Sequence, residues 1–127
     1  MPLVTITLLQ GRTAQEKRAI ADAVHDALAR SGVPEQDRFQ RFIELAKDDF
    51  IYDLSYPNLA EPRSEKFIVV EILLSVGRSV KVKRELLKNI VANLETRAAL
   101  APKDVMIVFK ETQWENWAFA NGEQIHA

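Results

Sequence analysis

Pro2 directly follows the initiator methionine, and of all residues in the chain it has the most direct route to chemistry. Removal of Met1 would expose a secondary amine at the tip of a strand-like stretch, Leu3-Val4-Thr5-Ile6-Thr7-Leu8-Leu9. Such an amine acts as a base or a nucleophile without any side chain. Proline is also tolerated at the first residue of a strand for purely structural reasons, so the dipeptide alone does not decide. Composition narrows the remaining chemistry. The chain has no cysteine, which excludes thiol catalysis, disulfide scaffolds and thiolate metal sites. Its two histidines, His25 and His126, are far apart and offer no metal-ligand spacing. His25 reads as an exposed or helix-flanking residue, and His126 as a frayed tail residue.

A repeat raises the interest of this amino-terminal stretch. Gly11-Arg12-Thr13, followed by Lys17-Arg18, recurs as Gly77-Arg78-Ser79, followed by Lys83-Arg84. Every member recurs 66 positions on (77 minus 11). The preceding strands align as well, Val4, Ile6 and Leu8 onto Val70, Ile72 and Leu74. Their alternation gives each strand one apolar face. Thr13 with Glu16 three residues on reads as a capping box. Ile20, Val24, Ala27 and Leu28 then form the stripe of a helix ending near Gly32. Ser79 caps a second helix, with Leu86, Leu87, Ile90, Val91 and Leu94 as its stripe, ending near Arg97. After each helix comes a proline, Pro34 or Pro102, and then an acid, Asp37 or Asp104. A second strand follows in each half, Phe39 to Leu45 and Val105 to Phe109.

Each half is therefore strand, helix, strand, which requires a parallel pair and a right-handed crossover. Two such units, about 2–46 and 67–110, predict one α/β (α+β) domain over residues 1–127, a four-stranded sheet with two helices on one face. Prolines 57 and 62 make a loop of the stretch between the halves. Phe50, Tyr52, Leu54 and Tyr56 alternate inside it and allow a short strand or a packed arm. The tail from Lys110 to Ala127 holds Trp114, Trp117 and Phe119, and so aromatic a tail is expected to pack over the sheet of its own or a neighbouring chain. The helices cover only one sheet face. The other carries Leu3, Leu9, Phe67, Val69 and Leu73, too apolar to leave in water. That predicts a symmetric homo-oligomer with sheets at its centre and helices outside.

Other classes of partner are disfavoured. A net charge of −1, from 17 basic and 18 acidic residues, gives no footprint for nucleic acid or an anionic membrane. No apolar run approaches about 18 residues, so no membrane span is expected. The amino-terminal stretch lacks a basic n-region and a signal-peptide core, so the expected location is the cytoplasm.

Taken in order, Pro2-Leu3, Gly11-Arg12-Thr13, Gly32-Val33-Pro34, Asp37-Arg38-Phe39-Gln40, Gly77-Arg78-Ser79, Pro102-Lys103-Asp104-Val105 and Asn116-Trp117-Ala118-Phe119 resemble the tautomerase superfamily. The resemblance covers nearly the whole chain. It is to the longer, two-block members that form trimers, and more narrowly to the malonate semialdehyde decarboxylase group and its tautomerase relatives. In that decarboxylase pattern the third strand ends in Arg-Pro-Arg-Ser. Here the stretch is Val76-Gly77-Arg78-Ser79, so Val76 replaces the first arginine. Ala118 and Ala120 stand where serine and glycine are usual.

The resemblance implies that the Pro2 nitrogen is the reactive group. An amine serves as a base near neutral pH when burial or a nearby cation destabilises its protonated form. Arg78 is the implied cation, and it would hold a substrate carboxylate by paired, charge-assisted hydrogen bonds. Asp37 resembles the acid that positions a water or orients the substrate. Trp117 and Phe119 resemble the apolar wall of the substrate pocket. The 66-residue offset carries Pro2 onto Ile68, an interior residue with no free amine, so each chain holds one such site and Arg12 reads as structural. Three functions follow. The first is a tautomerase moving a proton α to a carbonyl on a small 2-oxo or 2-hydroxydienoic acid, with no metal or organic cofactor. The second is a decarboxylase or hydratase of a small 3-oxo or unsaturated acid, which the missing arginine counts against. The third is a non-catalytic, small-molecule-binding trimer.

Overall fold

Thr13 and Ser79 start the two helices as the capping pattern requires. A computed structural model describes residues 2–126 of the chain. The Thr13 hydroxyl accepts from Glu16 N at 3.1 Å, and Thr13 N donates to Glu16 Oε1 at 3.0 Å, closing a capping box. Those bonds from Thr13 hold the Glu16 carboxyl below the usual carboxylate range. Ser79 Oγ accepts from Val82 N at 3.2 Å. Gly11 and Gly77, which turn the chain from strand into helix, both have φ of +122°, a conformation that glycine adopts without a Cβ penalty.

The elements are β1 (Leu3–Leu9), α1 (Ala14–Arg30), β2 (Phe39–Leu45), β3 (Ile68–Ser75), α2 (Val80–Ala98) and β4 (Val105–Thr112), with short 3-10 turns at Lys47–Asp49, Pro102–Asp104 and Trp114–Asn116. Helices α1 and α2 begin 66 positions apart, and so do β2 and β4. The repeat read from the sequence is thus a repeat in space. The sheet order is β2-β1-β3-β4. β1 is parallel to β2, and β3 is parallel to β4. The two halves join through β1 and β3, which are antiparallel, so the sheet is mixed.

Val4, Ile6 and Leu8 of β1 and Ile68, Val70, Ile72 and Leu74 of β3 are fully buried. They meet Ile20, Val24 and Leu28 of α1 and Leu86, Ile90 and Leu94 of α2. Each such side chain contributes about 2 kcal/mol by leaving water. The helices also bind each other, Asn93 Nδ2 donating to Ala23 O at 3.1 Å and Arg97 pairing with Asp26 at 2.7 Å. No helix among the described residues is long and apolar enough to cross a membrane.

Four local expectations are corrected. β4 runs three residues past Phe109, because Leu73, Leu74 and Ser75 of β3 take Lys110, Glu111 and Thr112 as partners. His25 is buried at 6% exposure rather than exposed. It lies four residues after Ala21 and three before Leu28, both buried, and so shares their helix face. Phe67 is only 3% exposed. The reason is the loop between the halves, which takes the packed-arm alternative and lays Phe50 and Tyr52 on the Phe67 ring, with centroids at 5.7 and 4.4 Å. His126, expected to fray, instead makes T-shaped contacts with the Trp114 and Phe119 rings, with centroids at 5.4 and 6.2 Å. Elsewhere the sheet face away from the helices stays open, with Phe39, Ile43 and Met106 between 42% and 47% exposed.

Candidate active site

Strand direction decides which loops meet. Leu3 pairs with Phe39 of parallel β2 and with Leu73 of antiparallel β3, and Ser75 pairs with Thr112 of β4. The start of β1, the start of β2 and the ends of β3 and β4 therefore lie at one end of the sheet. This end holds Pro2 before β1, Asp37 before β2, Arg78 after β3, and Trp117 and Phe119 after β4. All five residues singled out from the sequence converge there. Removal of Met1 concerns a residue outside those described.

Pro2 is buried, while Asp37 and Arg78 are half-buried. Asp37 is set by a turn in which its N–H donates to Pro34 O at 3.0 Å. Arg78 Nη1 donates to Ser75 O at 3.3 Å, and among the described residues its guanidinium makes no ion pair. A cation held by a neutral carbonyl keeps most of its hydrogen-bonding capacity for an incoming anion. The nearby Arg38 is differently placed. It donates to Asp22 Oδ1 at 2.6 Å and to Gln40 Oε1 at 2.8 Å, on the α1 side. The bond from Arg38 holds the Asp22 carboxyl below its ordinary range.

The tail closes this end. Val76 N donates to Thr112 O at 2.9 Å, and Asn116 Nδ2 donates to Thr112 Oγ1 at 2.7 Å. After that turn the Trp117 indole donates from Nε1 to Ser75 Oγ at 2.9 Å. Its ring stacks on Phe119 at 5.7 Å with planes 5° apart, and Phe119 in turn lies 5.7 Å from Phe39. Three aromatic rings thus form one wall. Phe39 and Ser75 were not singled out as site residues by sequence reasoning. The signal for Ser75 lay in the repeat, which places a hydroxyl where the first copy has Leu9.

The opposite end of the sheet, about 20 Å away along a seven-residue strand, is built differently. There Arg12 Nη2 donates to Lys66 O at 2.7 Å. Burial pulls its guanidinium below its ordinary value, opposed by the charges of Glu16 and Asp104. Asp104, 3% exposed, accepts from both Ser64 N and Ser64 Oγ at 2.7 Å and so pins the connecting loop. A cleft of about 460 Å³ opens at this end, lined by Leu9, Phe50, Tyr52 and Arg63 among others. It has room but no chain start, since Ile68 occupies the position that matches Pro2.

A duplicated β-α-β sheet with a proline leading β1 and a Gly-Arg loop at the same end defines a class, and this chain belongs to it: the family described as tautomerase enzyme, whose models match residues 37–120 and 2–55. Among individual proteins, the chain is similar to the probable tautomerase YrdN of Bacillus subtilis (strain 168), with 25% identity over 124 residues that cover 97% of this chain and 94% of that one. It is similar to the FG41 malonate semialdehyde decarboxylase inhibited by 3-bromopropiolate, with 31% identity, 96% and 92% of the two chains covered, and a TM-score of 0.88. It also resembles Q0, a fused 4-OT solved as a symmetric trimer, with 25% identity, 95% and 94% coverage, and a TM-score of 0.76.

Proposed function

We propose that the chain is a cofactor-independent tautomerase that interconverts enol and keto forms of a small 2-oxo or 2-hydroxydienoic acid. The observation that carries this is the convergence of Pro2, Asp37, Arg78, Trp117 and Phe119 on one end of one sheet. With Met1 removed, the Pro2 nitrogen takes the enol hydroxyl proton. The C–O bond becomes C=O, and the carbon–carbon double bond takes a proton back from the prolinium, so no atom or electron is gained or lost. Arg78 holds the carboxylate, and Asp37 orients the substrate. Trp117 and Phe119 keep water out, which favours the neutral amine. Holding base and carboxylate at fixed separation supplies much of the rate.

The chain works in this reading as one domain and as a homo-oligomer, specifically a homotrimer. The half-apolar open sheet face and the trimeric Q0 relative support that assembly.

The test is ketonisation of phenylpyruvate enol and of 2-hydroxymuconate. Pro2→Ala should lower the rate by about 10²-fold or more. Equal rates in mutant and wild type would rule the reaction out, and intact mass shows whether Met1 is gone. A second reading, decarboxylation or hydration with Asp37 directing water, is favoured by the 31% identity to the FG41 decarboxylase. Val76, where that group carries a second arginine, stands against it. Turnover of malonate semialdehyde faster than of either enol would select it.

A further inference from the structure

We infer that Ser75 is a positioning residue, whose buried hydroxyl fixes the aromatic wall relative to the arginine that holds the substrate. The inference rests on the tautomerase reading above and adds a residue to it.

Ser75 cannot meet a substrate itself, because it is 0% exposed. It is nevertheless the point where the two parts of the site join. Its hydroxyl oxygen accepts from Trp117 Nε1 at 2.9 Å, across 42 positions of sequence. Its carbonyl accepts from Arg78 Nη1 at 3.3 Å. Trp117 stacks on Phe119, and Phe119 reaches Phe39 at the start of β2. One serine therefore sets the orientation of a guanidinium and, through the indole, of three rings.

The fold itself does not ask for a hydroxyl at this position. The repeat image of Ser75 is Leu9, at the end of β1, and the same architecture forms there around an apolar side chain. At that end Arg12, the image of Arg78, takes the carbonyl of Lys66 instead. A buried hydroxyl is unfavourable unless bonded, and an indole N–H needs an acceptor when it is covered. Ser75 and Trp117 meet each other's need, and only at the end that carries Pro2. Without the hydroxyl the indole would lose its fixed angle, while the backbone bond to Arg78 would persist. Carboxylate capture would then survive better than alignment of the reacting carbon.

The experiment uses the full chain carrying Trp114→Phe, so that Trp117 is the only indole. Ser75→Ala is expected to lower kcat/KM for ketonisation about ten- to a hundredfold, chiefly in kcat. Indole emission should shift to the red and become easier to quench with acrylamide. Ser75→Thr restores the hydroxyl and should recover both. In a Trp117→Phe chain, Ser75→Ala should add no more than about a twofold loss, because its effect runs through the indole. A folded Ser75→Ala chain with unchanged kcat/KM or unchanged emission overturns the proposal, as does an equal loss in the Trp117→Phe chain. A wild-type chain without turnover sinks the tautomerase reading. Unchanged emission in Ser75→Ala sinks the anchor, so the two failures are told apart.

Discussion

Thr5 of β1 pairs with Glu71 of β3, and the two are the same position in the two repeats. Because the strands are antiparallel, a local twofold axis passes between these residues. It carries the first half of the chain onto the second, end for end. The two Gly-Arg loops are thereby sent to opposite ends of the sheet, and only one of them shares its end with Pro2.

That separation predicts unequal roles for two arginines that look alike in sequence. Arg78→Ala should lower kcat/KM for ketonisation about ten- to a hundredfold, the worth of charge-assisted hydrogen bonds to a carboxylate. Arg12→Ala should leave kcat/KM within about twofold, since the sites are far apart. It should instead lower stability by about 1 kcal/mol through the lost bond to Lys66 O. Steady-state kinetics and urea melts on both variants check this, and equal kinetic losses would refute it.

Acid should expose the Asp22–Arg38 pair. The hydrogen bond from Arg38 depresses the Asp22 carboxyl in the folded chain. A depressed carboxyl stabilises the fold above its unfolded value, about 3.9, and that contribution is lost as pH falls through the folded value. Asp22→Asn should therefore melt below wild type at pH 7, with the gap closing as the pH drops below about 4. The pair is partly exposed, so added salt should narrow the gap at pH 7. A gap that is constant across pH would contradict the assignment.

Ala99 ends α2 with φ of 52° and ψ of 37°, a left-handed conformation that strains any residue with a Cβ. It is exposed, so its methyl group packs on little. Ala99→Gly should raise stability by about 0.5–1 kcal/mol, read from the urea midpoint, with no change in activity.

The open sheet face offers a test of assembly. Ile43, in the middle of β2, is 42% exposed on that face. Ile43→Glu places a charge where the proposed trimer buries a methyl group. Sedimentation should show a fall from trimer towards monomer while the circular dichroism of the chain is retained. A mass unchanged from wild type would remove the face from the interface.

The repeat was legible because cap, glycine and strand residues recur at one spacing, and the structure keeps that spacing in α1, α2, β2 and β4. The convergence of Pro2, Asp37, Arg78, Trp117 and Phe119 followed from the family motifs and needed the strand directions to become geometry. What the sequence hid was long-range. Alternation in β1 and β3 reads the same whether the strands run parallel or antiparallel, so the join between the halves could not be read from it. The extra length of β4 is set by the end of β3, a partner more than 30 positions away. Phe67 alternates like an open-face residue, and only the fold shows Phe50 and Tyr52 lying on it. Ser75 looks like the polar stop of a strand until the tail brings Trp117 to its hydroxyl.

A polypeptide with two equivalent ends to its sheet has only one beginning. Ile68 lies inside the chain, so on the proposed reaction the Arg12 end carries no second reactive amine. On the proposed reaction, changes around Gly11 then act on durability, and changes around Gly77 act on turnover. Heredity can adjust the two traits one at a time, a freedom closed to any sheet whose ends are copies of a single short gene.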